Sequence, residues 1–363
     1  AHPLEQLEIL EQKVKELTAH GDTDAVIECR IKQLCLHRVL AYLHDFPLQP
    51  LIRAQAALAE AYAAGHYFPQ AREHLSKARD VTSGGIYDDA QCLRLQADLL
   101  AAEGSVNLAE GRLEAAERVL TESARVGREA RGELDQQTAH VHLLLGQVAQ
   151  QRGYHDKSVD HFSAAWEVHE ALDGAEAEPT LRARLRVAEA EYAAGRMEEA
   201  MGTMRKVVEA LKQCREPGSP PLLIESASQL ARWLEAEGRD REALEALQTA
   251  DRTVAENLGP EDPKAVDVKR DVALLHLKLG DHDTALQYLN DVHYLERRLH
   301  GSQSANVART LKALGTVHLV RRTFEEAEQC LLQALRIFET QDHTSNAAII
   351  RDIHSKLATI AGA

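Results

Sequence analysis

A period of about 42 residues runs through this chain and limits it to a narrow set of architectures. Small residues at Ala71, Ala116, Ser158, Ala200, Ala243, Ala285 and Ala327 are separated by 45, 42, 42, 43, 42 and 42 positions. Four residues after each marker stands Leu75, Leu120, Phe162, Met204, Leu247, Leu289 or Leu331. Seven after it stands Ala78, Ser123, Ala165, Val207, Ala250, Val292 or Ala334. Steps of four and three place all three residues on one stripe of a helix. Gly111, Gly153, Gly195, Gly238 and Gly280 each lie five before their marker, where a tight turn divides the period into two helices. Gly65 falls six before its marker, and Arg322 stands in for glycine in the last unit.

The clearest copy is VARTLKALGTVHLVRRTFEEAEQCLLQALRIF, residues 307–338. Leu314 and Gly315 lie on its first helix, and Phe324, Ala327, Leu331 and Ala334 on its second. This skeleton resembles the tetratricopeptide repeat. The resemblance implies an all-α, right-handed superhelical solenoid of about eight helical hairpins plus a C-terminal capping helix. The period exceeds the commonest repeat, which is about 34 residues, and predicts arms roughly a turn longer. The organisation read from the sequence is a degenerate N-terminal hairpin over residues 1–45, seven repeat units over 46–342, and a capping helix over 343–363. In the degenerate hairpin, residues 4–19 and 22–43, Ala25 takes the small position and Lys32 falls where a second small residue belongs. The capping helix is expected over 347–360, with Ile349, Ile350, Ile353, Leu357 and Ile360 on one face. Connections are expected at HDFPLQP (44–50), TSGG (82–85), DGAEAEPT (173–180), EPGSPP (216–221), LGPEDP (258–263) and HGSQS (300–304).

Composition agrees with a helical rod. Hydrophobic residues make up 44% of the 363, while aromatics are 4% and prolines number 10, which disfavours sheets. The formal charge of −15 argues against nucleic acid or an anionic membrane as partner, since both require a basic footprint. No apolar run approaches the length that spans a bilayer, and AHPLEQLEIL does not read as a secretory signal. Five scattered cysteines without a CxxC spacing read as reduced thiols in a cytoplasmic compartment.

Reactive chemistry is not legible. The eighteen histidines contain no HExxH, and His140 and His142 lie two apart, on different faces of a helix. GDHD at 280–283 opens like a calcium loop but lacks the later ligands, so a turn explains it better. No Walker loop, GxSxG or nucleophile–base spacing occurs. The sequence therefore predicts no enzyme, no cofactor and no metal site.

Binding is expected on the concave wall formed by the first helices. Counting back 18 residues from each marker gives Arg53, Asp98, His140, Arg182, Glu225, Asp267 and Arg309. Counting back 15 gives Ala56, Ala101, Leu143, Leu185, Ser228, Arg270 and Lys312. One step further adds Arg186 and Asp271. Arg182, Arg186, Arg270, Arg309 and Lys312 are the candidates for receiving an acidic helix or extended segment of another protein. The competing expectation is that these cations pair with Glu189, Glu225 and Asp267 inside the wall. Trp166 and Trp233 are expected between hairpins.

The unit LGPEDPKAVDVKRDVALLHLKLGDHDTALQYLNDVHYLERRLHG looks like the 42-residue repeats of kinesin light chains. The order of units across residues 51–361 also resembles the ciliary tetratricopeptide repeat protein 23 group. The latter resemblance implies a non-enzymatic scaffold in a ciliary, axonemal or other microtubule-based assembly, as part of a larger complex. The alternatives are a cytosolic adaptor of kinesin-light-chain type and a peptide-sensing regulatory domain of a larger protein.

Overall fold

The computed structural model describes residues 3–43, 48–84, 89–214, 216, 218–259, 262–340 and 343–362. Among them are seventeen α-helices and no strand. In chain order, the first pair is α1 (Pro3–His20) with α2 (Thr23–Leu43), followed by α3 (Gln49–Ala64) with α4 (Phe68–Gly84). Next come α5 (Asp89–Ala109) with α6 (Leu113–Arg131), α7 (Gln136–Gln151) with α8 (His155–Asp173), and α9 (Glu178–Ala193) with α10 (Met197–Gln213). The last pairs are α11 (Ser219–Ala236) with α12 (Asp240–Asn257), α13 (Pro263–Lys278) with α14 (His282–His300), and α15 (Ala305–Val320) with α16 (Phe324–Thr340). A single helix, α17 (His343–Ala361), closes the chain. This is the all-α repeat architecture expected from the period.

Two compact units divide the chain, Ala1–Thr203 and Met204–Ala363, so the division falls within α10. Inside each unit, helices pack mainly against their sequence neighbours, as a solenoid requires. In the first, Ile52, Ala59, Ala71, Leu75, Ala78, Leu95 and Leu99 form one continuous core. In the second, Val307, Leu311, Leu331, Phe338 and Ile353 do so, with Ile349, Ile350, Leu357 and Ile360 of α17 packed on them. Each large apolar side chain buried this way contributes about 1.5–3 kcal/mol.

The seven markers are all fully buried. Ser158 keeps this position despite its hydroxyl, because Ser158 Oγ donates to the Gly146 carbonyl oxygen at 3.0 Å. Ser123, seven after its marker, donates likewise to the Ala97 carbonyl oxygen at 2.8 Å. Twelve residues before the marker the first helix carries Ala59, Gly104, Gly146, Ala188, Ala231, Ala273 or Gly315, all small. Wherever it is glycine, an added Cβ would run into the large residue four after the marker.

The turn within each hairpin is more regular than the glycine pattern suggests. The residue five before the marker has positive φ in all seven units, including His66 (63°) and Arg322 (62°). Gly65 is therefore not the left-handed residue of its unit; its φ is −83°, and His66 turns the chain. In each unit the next N–H reaches back five residues, for example Arg112 N to the Asn107 carbonyl oxygen at 2.8 Å and Thr323 N to that of His318 at 3.0 Å. Together with the N–H of the left-handed residue itself, which bonds three residues back (Gly111 N to the Leu108 carbonyl oxygen, 3.0 Å), this closure satisfies the last carbonyls of the first helix and needs a left-handed residue at one place.

The N-terminal hairpin keeps the same frame in a shifted register. Gly21 has φ of 73°, and the N–H of Val26, not Ala25, occupies the marker's place in the hydrogen-bond pattern. Four and seven positions on are Arg30 and Gln33 instead of an apolar and a small residue. Arg30 Nη1 donates to Glu11 Oε2 (2.6 Å) and Gln33 Oε1 (2.8 Å), so a polar cluster replaces the usual packing.

Several expected breaks lie inside helices. Pro50, Pro179, Pro220, Pro221 and Pro263 all fall in first turns, where the missing N–H costs nothing. Thr82, Ser83 and Gly84 continue α4, and α17 begins four residues earlier than expected. Residues 44–47, 85, 217, 260, 261, 341 and 342 of the expected connections and boundaries lie outside the described residues.

Candidate functional site

The wall of first helices is lined differently from the sequence expectation. Ala101 and Leu185, fifteen before their markers, are buried in packing. Lining residues stand at 18, 14 and 11 before the marker, on an i, i+4, i+7 stripe, and also at fifteen before, where Ala56, Ser228 and Arg270 reach the hollows. The position eleven before was missed, although the helical period alone would have supplied it. It carries Glu60, Glu189, Arg232 and Leu274.

Four of the five singled-out cations already hold an acid. On α9, Arg182 Nε donates to Glu178 at 2.8 Å, and Arg186 Nη1 donates to Glu189 at 2.7 Å. Lys312 on α15 pairs with Asp352 of α17 at 2.6 Å. Arg270 Nη1 donates to Asp267 at 2.9 Å, and its Nη2 donates to Glu296 Oε1 at 2.5 Å. Internal pairing is therefore realised at Glu189 and Asp267. Arg309 is exposed, and Arg309 Nη1 donates to the neutral Asn306 side chain at 3.1 Å.

Arg270 has a further task. Glu296 is 0% exposed, and its second oxygen accepts from Thr310 Oγ1 at 2.7 Å. Arg270, Glu296 and Thr310 thus tie α13, α14 and α15 together. Burial by itself would lower the Arg270 guanidinium, but the bonds and charges of Glu296 and Asp267 outweigh it and hold it above its usual value. Arg270 and Arg309 line one pocket of about 250 Å³, together with Leu274, which is 48% exposed, and Glu296.

In the first unit, a groove of about 520 Å³ is lined by Arg53, Ala57, Glu60, Asp98, Arg131 and His140 among others. Asp98 pairs with Arg53 at 3.2 Å and also with Arg131. Burial lowers His140. Glu60 is half-buried and has no hydrogen-bond or ion-pair partner among the described residues. Burial pushes its carboxyl up to about 7, opposed by the charge of Arg30 and assisted by that of Asp98.

A carboxyl that holds its proton more tightly folded than unfolded loses stability as pH rises from about 4.5 to about 7, and the loss is complete above that range. Glu60→Gln is accordingly expected to gain about 2 kcal/mol over the parent at pH 8 and little at pH 4. Paired urea denaturation curves would check this; an equal difference at both pH values would contradict it.

Among the described residues, no group of three or more His, Cys, Asp or Glu side chains is placed to hold an ion. In the GDHD segment, Asp281 caps α14 by accepting from the Thr284 N–H at 3.2 Å. His142 and His161 face each other with Nδ1 atoms 3.3 Å apart, and burial lowers both. Trp233 is buried, while Trp166 is half-buried beneath the Arg184 guanidinium, 4.9 Å from its ring centre. Among the described residues, no helix is long and apolar enough to cross a membrane.

A tetratricopeptide repeat family profile matches residues 265–340, from α13 to the end of α16. No curated protein gives a significant match. Among solved structures the chain is similar to the apo form of RapI, at 11% identity and a TM-score of 0.64, over 99% of this chain and 98% of that one. It is also similar to BtubC (BKLC) from P. vanneervenii, at 17% identity and a TM-score of 0.57, over 65% of this chain and 92% of that one. A putative kinesin light chain from Podosopora anserina with nearly identical TPR-like repeats matches at 22% identity and a TM-score of 0.46, over 55% and 95%. Such identities make this a likeness of fold.

Proposed function

We propose that this tetratricopeptide-type scaffold for protein–protein interaction is non-enzymatic and holds an acidic helix or extended segment of a partner along its first helices. The observation that carries the reading is Arg309, an exposed guanidinium that has no acidic partner among the described residues and shares a pocket with half-exposed Leu274. A carboxylate beside an apolar side chain would complement both. On α9, Arg182 and Arg186 sit one turn apart, and a partner's acids could replace Glu178 and Glu189 at small cost, because exposed ion pairs contribute about 0–1 kcal/mol.

Arg309→Glu is expected to weaken binding of acidic decapeptides roughly tenfold, about 1.4 kcal/mol, with no change in the unfolding midpoint. Titration of the full chain with acetylated, amidated Asp- and Glu-bearing decapeptides measures this. Equal affinity for parent and variant would remove the reading. Arg270 is unsuited to the same test, because its loss would strand Glu296.

The assembly we propose is ciliary or otherwise microtubule-based, a reading supported by resemblance of sequence. A subunit of such an assembly should remain with it through high-salt extraction. Rapid release would favour a cytosolic adaptor of kinesin-light-chain type, and peptide-dependent control of an attached domain would favour a regulator.

A further inference from the structure

The wall of the first unit carries a carboxyl that no cation among the described residues pairs with directly, although the charge of Arg30 acts on it from a distance. Arg30 is engaged by Glu11 and Gln33, and Asp98 by Arg53 and Arg131, with Asp135 3.8 Å from Arg131. These groups cancel one another locally. Glu60, on α3, has no such partner among the described residues, and it stands at the border of two hollows. One is the groove of about 520 Å³ towards α5 and α7. The other, of about 300 Å³, opens towards α1 and α2; Val14, Val26, Ala57, Ala61 and Ala64 line it together with Thr18, Thr23 and Arg30, whose guanidinium is held by Glu11 and Gln33.

We propose that this groove docks a basic side chain, lysine or arginine, from a partner segment, with Glu60 as its counter-ion. The chemistry on both sides of the carboxyl supports that occupant. Alanines 57, 61 and 64, with Val14 and Val26, offer an apolar floor for an aliphatic stem, and Glu60, without a bonded partner among the described residues, lines the same hollow and could meet the stem's charged head. An apolar side chain would bury the carboxyl further without pairing it, and an acidic one would meet like charge. The polarity is opposite to that of the Arg309 pocket in the other unit, so the two sites stand or fall separately.

Capture of a cation requires the ionised carboxyl. With Glu60 near 7, affinity for a basic segment should rise roughly tenfold from pH 6 to pH 8, as the ionised fraction climbs from about one-tenth to about nine-tenths. The test is a positional-scanning library of acetylated, amidated decapeptides selected on the full chain at both pH values. The parent should enrich arginine or lysine at one position at pH 8 and lose most of that preference at pH 6. Glu60→Gln should lose it at both while keeping its unfolding midpoint or raising it, and Arg309→Glu should retain it. Absence of a basic preference in the parent would overturn the proposal. So would the same preference at both pH values, or its persistence in Glu60→Gln.

Discussion

Arg270→Ala should destabilise the second unit by about 3–5 kcal/mol, the cost of leaving a buried carboxylate without its counter-charge. Glu296 has no exposure to water, and beyond Arg270 its bonding partner is the neutral Thr310 hydroxyl. Because Glu296 joins helices on both sides, the loss should reach α13, α14 and α15 together. The double variant Arg270→Ala, Glu296→Gln should recover most of the stability, since a neutral amide needs no guanidinium and can still accept from Thr310. Chemical denaturation of the four members of this cycle measures the coupling. An Arg270→Ala chain unfolding at the parent's midpoint would show that the triad is not holding these hairpins.

Gly146→Val should cost about 3 kcal/mol or more through overpacking in α7 and α8. A Cβ built on Gly146 lies 2.5 Å from Phe162 Cε1, and Phe162 is 1% exposed, so its ring has nowhere to go. Shortening the neighbour should restore much of the loss, so Gly146→Val with Phe162→Leu is the informative double variant. Gly127→Ala is the control. There the new Cβ meets only Ala97 Cβ at 3.8 Å, and the better helix propensity of alanine should leave stability unchanged or raised by up to about 1 kcal/mol. Thermal unfolding of the three chains separates close approach from a general intolerance of larger residues. Equal effects at Gly146 and Gly127 would refute the packing argument.

Much of the fold was legible because a repeat multiplies a weak local signal. One small residue in a helix says little; seven at a near-constant interval, each followed by an apolar residue at four and a small or β-branched one at seven, set the helix faces. The misreadings arise where several residues can serve one geometric need. His66 and Arg322 adopt the left-handed turn that glycine adopts elsewhere, because the hairpin's closing hydrogen bonds fix that place. Prolines read as breakers sit in first turns, where they are compatible with a helix. The lining of the first helices was only partly legible. Counting back supplied the positions 18, 15 and 14 before the marker but not the one eleven before, and it did not tell that Ala101 and Leu185 turn into the packing.

The sequence by itself determined the period, the all-α class and the small residues at close helix contacts, since these depend on spacings of three, four and about 42 positions along one chain. Tertiary structure alone decided which charges are spoken for. Arg270 meets Glu296 across 26 residues, and Arg53 meets Asp98 across 45, so the partners come from neighbouring helices whose facing side chains no local spacing specifies. For the same reason Glu60, unremarkable as a letter, and Arg309, one candidate of five, emerge only in three dimensions as charges of opposite sign without an opposite charge bound to them among the described residues.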